Sequence, residues 1–189
     1  MTALSFGVAE LEQERNAVFR LRYEVALERG WADEQALPVG IEREEHDEGA
    51  VFVVARRGQE VVAALRLIVE PATVASLLSE HELDFAAAET VFIGRFLVAR
   101  PYRDRAREVV VGLGGEAVRF MQGRAVRAIS FAADNSIRFC RYHGFPLKIA
   151  GPPRVVDHAL RSPVVFDAEV WRAFAAEAAK RERTVLETG

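Results

Sequence analysis

Apolar and polar positions fall into blocks along the chain, and the blocks predict alternating helices and strands. From Glu10 to Arg29, apolar Leu11, Ala17, Val18, Leu21, Val25 and Leu27 lie between charged positions. That is the pattern of a helix with one broad buried face. Gly30 follows as a stop, because glycine tolerates the left-handed conformation that ends helices. Leu4–Val8 predicts a short first strand, and Trp31–Gly40 a loop or short helix. Ala50–Ala55 and Val61–Val69 predict strands joined by the tight turn Arg57-Gly58-Gln59, a hairpin closed at its far end by Pro71. Ala72–Ser79 reads as helix. Thr90–Val98, β-branched and apolar, reads as a central strand. Val109–Gln122 reads as a helix with Val110, Leu113, Ala117 and Phe120 on its apolar face.

The remainder continues the alternation. Ala125–Ala132 predicts a strand, and Asn135–His143 a short helix capped by Asn135 and ended by Gly144. Phe145–Ile149 and Pro163–Phe166 predict late strands. Ala168–Arg183 predicts an amphipathic helix carrying Trp171 and Phe174. A helix, a hairpin and then β-α-β-α-β give one mixed αβ sheet with helices on both faces.

Composition narrows the function classes. With 189 residues, half of them apolar, a single domain with a real core is expected. The net charge of −3 gives no general attraction to nucleic acid. The charge is uneven, with an acidic run at Glu42–Glu48 and arginines concentrated between 95 and 141. This predicts one local basic face. The lone Cys140 fits a reducing cytoplasm. No apolar run reaches membrane-span length, and the four histidines lack metal spacing.

The stretch from Val91 to Phe120 carries the candidate chemistry. A strand there runs through an arginine-rich turn, with Arg100, Arg103, Arg105 and Arg107, into a helix N-terminus. Free N–H groups and guanidinium forks suit an anion, though a solvated basic turn has the same pattern. Gly94 inside VFIGRFLV is a candidate bulge.

This strand, turn and helix, followed by a strand and N-S-I-R-F-C-R-Y-H-G-F (Asn135–Phe145), resembles the GCN5-related N-acyltransferases. The succession RLRYEVALERGW (Arg20–Trp31), an acidic loop with Asp47, ALRL (Ala64–Leu67) and IGRFLV (Ile93–Val98) is similar to the branch of acyl-homoserine lactone synthases and N-acyl amino acid synthases. The resemblance implies an α+β fold with a central, mostly antiparallel sheet. It implies transfer of an acyl group from acyl carrier protein or acyl-CoA to a small amine such as an amino acid, with no permanently bound cofactor. The alternative is a catalytically silent module that binds an acyl ligand or a protein partner.

By the same resemblance, the donor's thioester and phosphopantetheine arm would lie on Phe96, Leu97 and Val98 and on the loop Arg103, Arg105, Ala106, Arg107 and Glu108. The family's usual loop has glycines where Ala106 and Glu108 stand here. A carboxylate there would repel a pyrophosphate, whereas an acidic carrier protein would suit the arginines. Arg22, Trp31 and Asp47 would order the acceptor site. Arg22–Asp47 could equally be a surface ion pair, and Trp31 a core anchor. Arg66 and Arg95 on apolar strands need an anion, either an acceptor carboxylate or Glu89 or Asp47. Arg95 and Glu89 are the catalytic candidates, Glu89 as the base that deprotonates the amine. Cys140 stands where many relatives place a proton-donating tyrosine; a lone helical cysteine is more commonly just a small buried side chain.

Overall fold

The computed structural model describes residues 3–32, 35, 40–156 and 159–177. Their strands are β1 (Ser5–Val8), β2 (Val51–Arg57), β3 (Glu60–Ile68), β4 (Thr90–Val98), β5 (Arg127–Ala132), β6 (Lys148–Ile149), β7 (Arg154–Val156) and β8 (Ala159–Asp167). The helices are α1 (Glu12–Arg29), α2 (Pro71–Glu80), α3 (Ala106–Met121), α4 (Asp134–Tyr142) and α5 (168–177). The sheet is mixed and mostly antiparallel, in the order β1-β2-β3-β4-β5-β8-β6, with β7 on β8. The chain divides into two compact units, Met1–Glu70 with Ile93–Glu116, and Pro71–Phe92 with Ala117–Gly189.

In the first unit, β1, β2 and β3 form an antiparallel meander, with Val54 opposite both Gly7 and Ala64. Gly58 takes φ +60° in the hairpin turn, a conformation that disfavours other side chains. Helix α1 buries Val18, Phe19, Leu21, Arg22, Val25 and Ala26. Phe19 meets Phe52 edge-to-face, with ring centroids 5.4 Å apart, within a core that includes Ala9, Val54 and Ala64. Leu21 and Val25 pack with Leu97 near the end of β4. The predicted face shifts accordingly. Leu11 is the exposed residue preceding the helix, and a charged residue, Arg22, joins the buried stripe. Gly30, at φ +64°, ends the helix as expected.

Helix α3 starts at Ala106, three residues before the predicted start, directly after a 3-10 turn over Arg100–Arg105. Within it, Gly112 lies against Phe6 of β1. An added Cβ there would come 2.3 Å from the ring. Alanine is the better helix former by about 1 kcal/mol, yet the displaced ring should cost about 1–3 kcal/mol. Gly112→Ala should therefore lower stability in denaturant titration. A gain would show that Phe6 swings away freely.

In the second unit, β4 and β5 run parallel, with Thr90 opposite Arg127 and Phe92 opposite Ile129. β5 then pairs antiparallel with the long β8. Three expectations change here. Asn135 does not cap α4. Ala133 holds the cap position, and Asn135 Oδ1 accepts from the N–H of Ser136. The strand predicted over Phe145–Ile149 shrinks to Lys148–Ile149. Phe145 instead stacks on Trp171, and the Trp171 indole donates to the Pro146 carbonyl at 2.7 Å. The strand predicted at Pro163–Phe166 extends back to Ala159 and gains a partner, β7. Much of 31–40, residues 157 and 158, and the end of the last predicted helix lie outside the described residues.

Candidate active site

The centre of the first unit's polar chemistry is the acidic segment between α1 and β2. A 3-10 turn over Glu45–Asp47 folds it back on itself. The N–H of Glu44 donates to Asp47 Oδ2 at 2.7 Å, and the N–H of Asp47 donates to the Glu44 carbonyl. Arg15 of α1 anchors the segment by donating to the carbonyls of Asp47 and Ala50, at 3.1 and 3.0 Å.

Three arginines converge on this turn. Arg22 is 1% exposed and Asp47 4%. Arg22 Nη1 donates to Asp47 Oδ2 at 2.6 Å, and its Nη2 lies 3.5 Å from both Glu42 and Glu44. Arg66 of β3 donates through Nη1 to Asp47 Oδ1 and to Glu44 Oε2, both at 2.8 Å. Arg95 of β4 pairs with Glu44 Oε1. The arginines thus face Glu42, Glu44 and Asp47 in one charge-balanced network. Burial this deep excludes a weak surface ion pair. The Nε groups of Arg22 and Arg66 are buried and have no hydrogen-bond partner among the described residues. Buried donors of this kind carry a desolvation cost until an oxygen reaches them.

Arg95 itself has φ +52° in the middle of β4. Non-glycine residues avoid that region, at a cost of about 1–2 kcal/mol. The break in the strand therefore falls on Arg95 and not on Gly94, whose negative φ and open contact to Arg66 at 3.7 Å require no glycine. Beyond the break, Phe96 is exposed and Leu97 buried. The Val98 carbonyl accepts from Arg103 Nε at 3.2 Å.

The loop that follows is already supplied with counter-charges. Both nitrogens of the Arg103 fork donate to Glu28, at the end of α1, at 2.6 and 2.7 Å. Arg100 lies 4.0 Å from the same carboxylate. These hydrogen bonds hold the Glu28 carboxyl below its ordinary pKa, against the opposing effect of desolvation. The carboxylate is therefore charged at neutral pH and protonates only in acid. Arg105 donates two bonds to Glu108, both 2.7 Å, which raise its own pKa further. Glu108 thus turns sideways onto Arg105. Ala106 opens α3, with Arg107 next to it, and both are half-buried. Tyr102 is buried between these arginines in sequence, with the Arg57 guanidinium 5.4 Å from its ring centroid.

The other candidates have surroundings of their own. Trp31 is 67% exposed, which rules out a core anchor. Glu89, in the second unit, is 55% exposed on its side chain and lies 3.3 Å from Arg127. Cys140 is half-buried in α4, and burial pushes its thiol pKa up. It is protonated at neutral pH and a poor nucleophile. Cys140→Ser should keep acyl transfer within about threefold, since a thiol above its ordinary pKa adds little acid–base catalysis. A hundredfold loss in a folded variant would make the thiol a participant. Sequence reasoning missed Glu42 and Glu44. The available signal was the spacing Glu44-x-x-Asp47 before Gly49, which lets a carboxylate close a turn on its own backbone.

The sheet order and the strand–turn–helix from β4 into α3 define a mixed αβ fold. Residues 21–112 match the family described as acetyltransferase (GNAT) domain. The chain is similar to BjaI, a CoA-dependent acyl-homoserine lactone synthase solved with SAM and isopentyl-CoA, at 19% identity and TM-score 0.75, over 93% of this chain and 89% of that one. It is similar to TofI, solved with an inhibitor and MTA, at 21% identity and TM-score 0.72, over 92% and 96%. It is also similar to FeeM, an N-acyl amino acid synthase from uncultured soil microbes, at 11% identity and TM-score 0.65, over 92% and 95%. A search of curated proteins finds no match. The likeness to these solved structures is one of fold, and the family match covers just under half of the chain. No helix among the described residues is long and apolar enough to cross a membrane.

Proposed function

We propose that the 189 residues act as one acyltransferase domain, moving a long-chain acyl group from a phosphopantetheine thioester to the amine of an amino acid or similar small acceptor. The observation that carries this reading is the buried Arg22–Asp47–Arg66–Glu44–Arg95 network, built on the strand whose backbone breaks at Arg95. A strand that leaves its regular course frees backbone groups to hold an extended arm. The unpartnered Nε groups of Arg22 and Arg66 supply donors for an acceptor's oxygen.

In this reading, Phe96, Leu97 and Val98 and the loop from Arg103 to Glu108 receive the donor. Arg22, Asp47 and Arg66 order the acceptor, with Trp31 at its rim. The amine nitrogen attacks the thioester carbonyl. The C–N bond forms, the C–S bond breaks, and the proton lost from the amine is matched by one taken up by the thiolate. Arg95 offers positive charge to the developing oxyanion, and the amine proton leaves to a base or to water. The acyl carrier protein is the favoured donor and acyl-CoA the lesser one. A cytoplasmic setting fits either.

The test is incubation with acyl-carrier protein or acyl-CoA and pools of amines. Free thiol and N-acyl product, read by mass spectrometry, are the expected result. Ala106 and Glu108, in place of the family's glycines, favour one competing reading, a silent module. Acyl binding without turnover from any donor would establish it.

A further inference from the structure

We infer that Glu28 and Glu108 are donor-specificity residues: internal carboxylates that occupy the loop arginines and so disfavour a pyrophosphate-bearing donor relative to a single phosphodiester. The inference deepens the acyltransferase reading and rests on it. The geometry is specific. Glu28 engages Arg103 through two parallel bonds of 2.6 and 2.7 Å, and Glu108 engages Arg105 through two bonds of 2.7 Å. Fork-to-fork pairing of this kind is how arginine binds a phosphate. Each carboxylate therefore fills the valence that a phosphate would use. Arg103 is further committed through Nε to the Val98 carbonyl, so its fork cannot turn away without releasing the end of β4. Glu28 comes from α1, 75 residues distant from Arg103 in sequence. Its position is set by the helix and does not depend on the loop's own conformation.

A CoA donor brings a pyrophosphate and a ribose phosphate, several negative charges that need free cations and meet two carboxylates instead. A phosphopantetheine attached to a carrier protein brings one phosphodiester charge and takes the rest of its binding from the protein. The same carboxylates repel it less. Both ion pairs are partly exposed, so they can open. The penalty is a preference and not a block.

The experiment compares the parent protein with Glu28→Gln, Glu108→Gln and the double variant. Calorimetric binding of free CoA and of phosphopantetheine as its methyl phosphodiester is measured at low and physiological salt, with thermal unfolding as the folding control. The double variant should bind CoA at least about tenfold more tightly and phosphopantetheine within about threefold of the parent. The CoA gain should shrink as salt rises. Unchanged or weaker CoA binding in the folded double variant would overturn the inference, as would an equal gain for both ligands. If the double variant unfolds, Glu108→Gln alone carries the test, because its pair lies within one helical turn. Binding is read without turnover. An absence of N-acyl product with every donor would sink the acyltransferase reading while leaving this comparison decidable.

Discussion

Asp47→Ala should destabilise the protein by about 3–5 kcal/mol, the usual result of breaking a buried ion pair from one side. Asp47 is the common partner of Arg22 and Arg66, and its Oδ2 also closes the 3-10 turn through the N–H of Glu44. Removing it takes the one short bond of Arg22, leaving Glu42 and Glu44 at 3.5 Å, and one of the two 2.8 Å bonds of Arg66, where Arg22 is 1% exposed and already has an unpartnered Nε. A domain with 5–15 kcal/mol of total stability, the usual range, barely survives such a loss. Guanidinium titration of the parent and variant measures it directly. Arg22→Met combined with Asp47→Leu should cost less than Asp47→Ala alone, because no uncompensated charge then remains at Arg22. A loss below about 1 kcal/mol for Asp47→Ala would mean that water reaches the network and screens it.

The second large effect concerns the break in β4. Glu44→Gln should lower kcat/KM about a hundredfold, the scale of a misplacement of roughly 1 Å in the reacting groups. Glu44 holds Arg95, and Arg95 takes φ +52° in mid-strand. With the ion pair weakened, a β-region backbone becomes the lower-energy state for an arginine. Glycine accepts the left-handed conformation without steric cost. In an Arg95→Gly background the further change Glu44→Gln should therefore cost less than threefold. This non-additivity separates the kink from a simple loss of charge. Fully additive losses would show that Glu44 acts on the acceptor directly and not through the strand.

Much of this architecture was legible along the chain, for reasons that are physical and local. The strand Thr90–Val98 is bounded as its apolar run implies, and the hairpin turn needs Gly58 at positive φ. Arg22 sits between apolar helix positions, so a buried charge with a carboxylate partner could be anticipated. The details that escaped depend on groups remote in sequence. Nothing near Arg103 announces that Glu28 will neutralise it. Gly94 was the natural candidate for the bulge, yet its neighbour takes the strained conformation because an ion pair to Glu44 holds it there. Glu44 looked like one more charge in a solvated run until Asp47 folded that run back on itself. Phe145 left its predicted strand because Trp171, far along the chain, offered it a stacking partner.

A single-turnover experiment reaches the core of the argument most directly. The protein is mixed with a stoichiometric acyl thioester and excess amine acceptor, quenched in acid, and the intact protein and small molecules are weighed together. Direct transfer predicts one N-acyl amide for each thiol released and no added mass on the polypeptide. Thiol release without amide, or an acyl group retained on the protein, would contradict it.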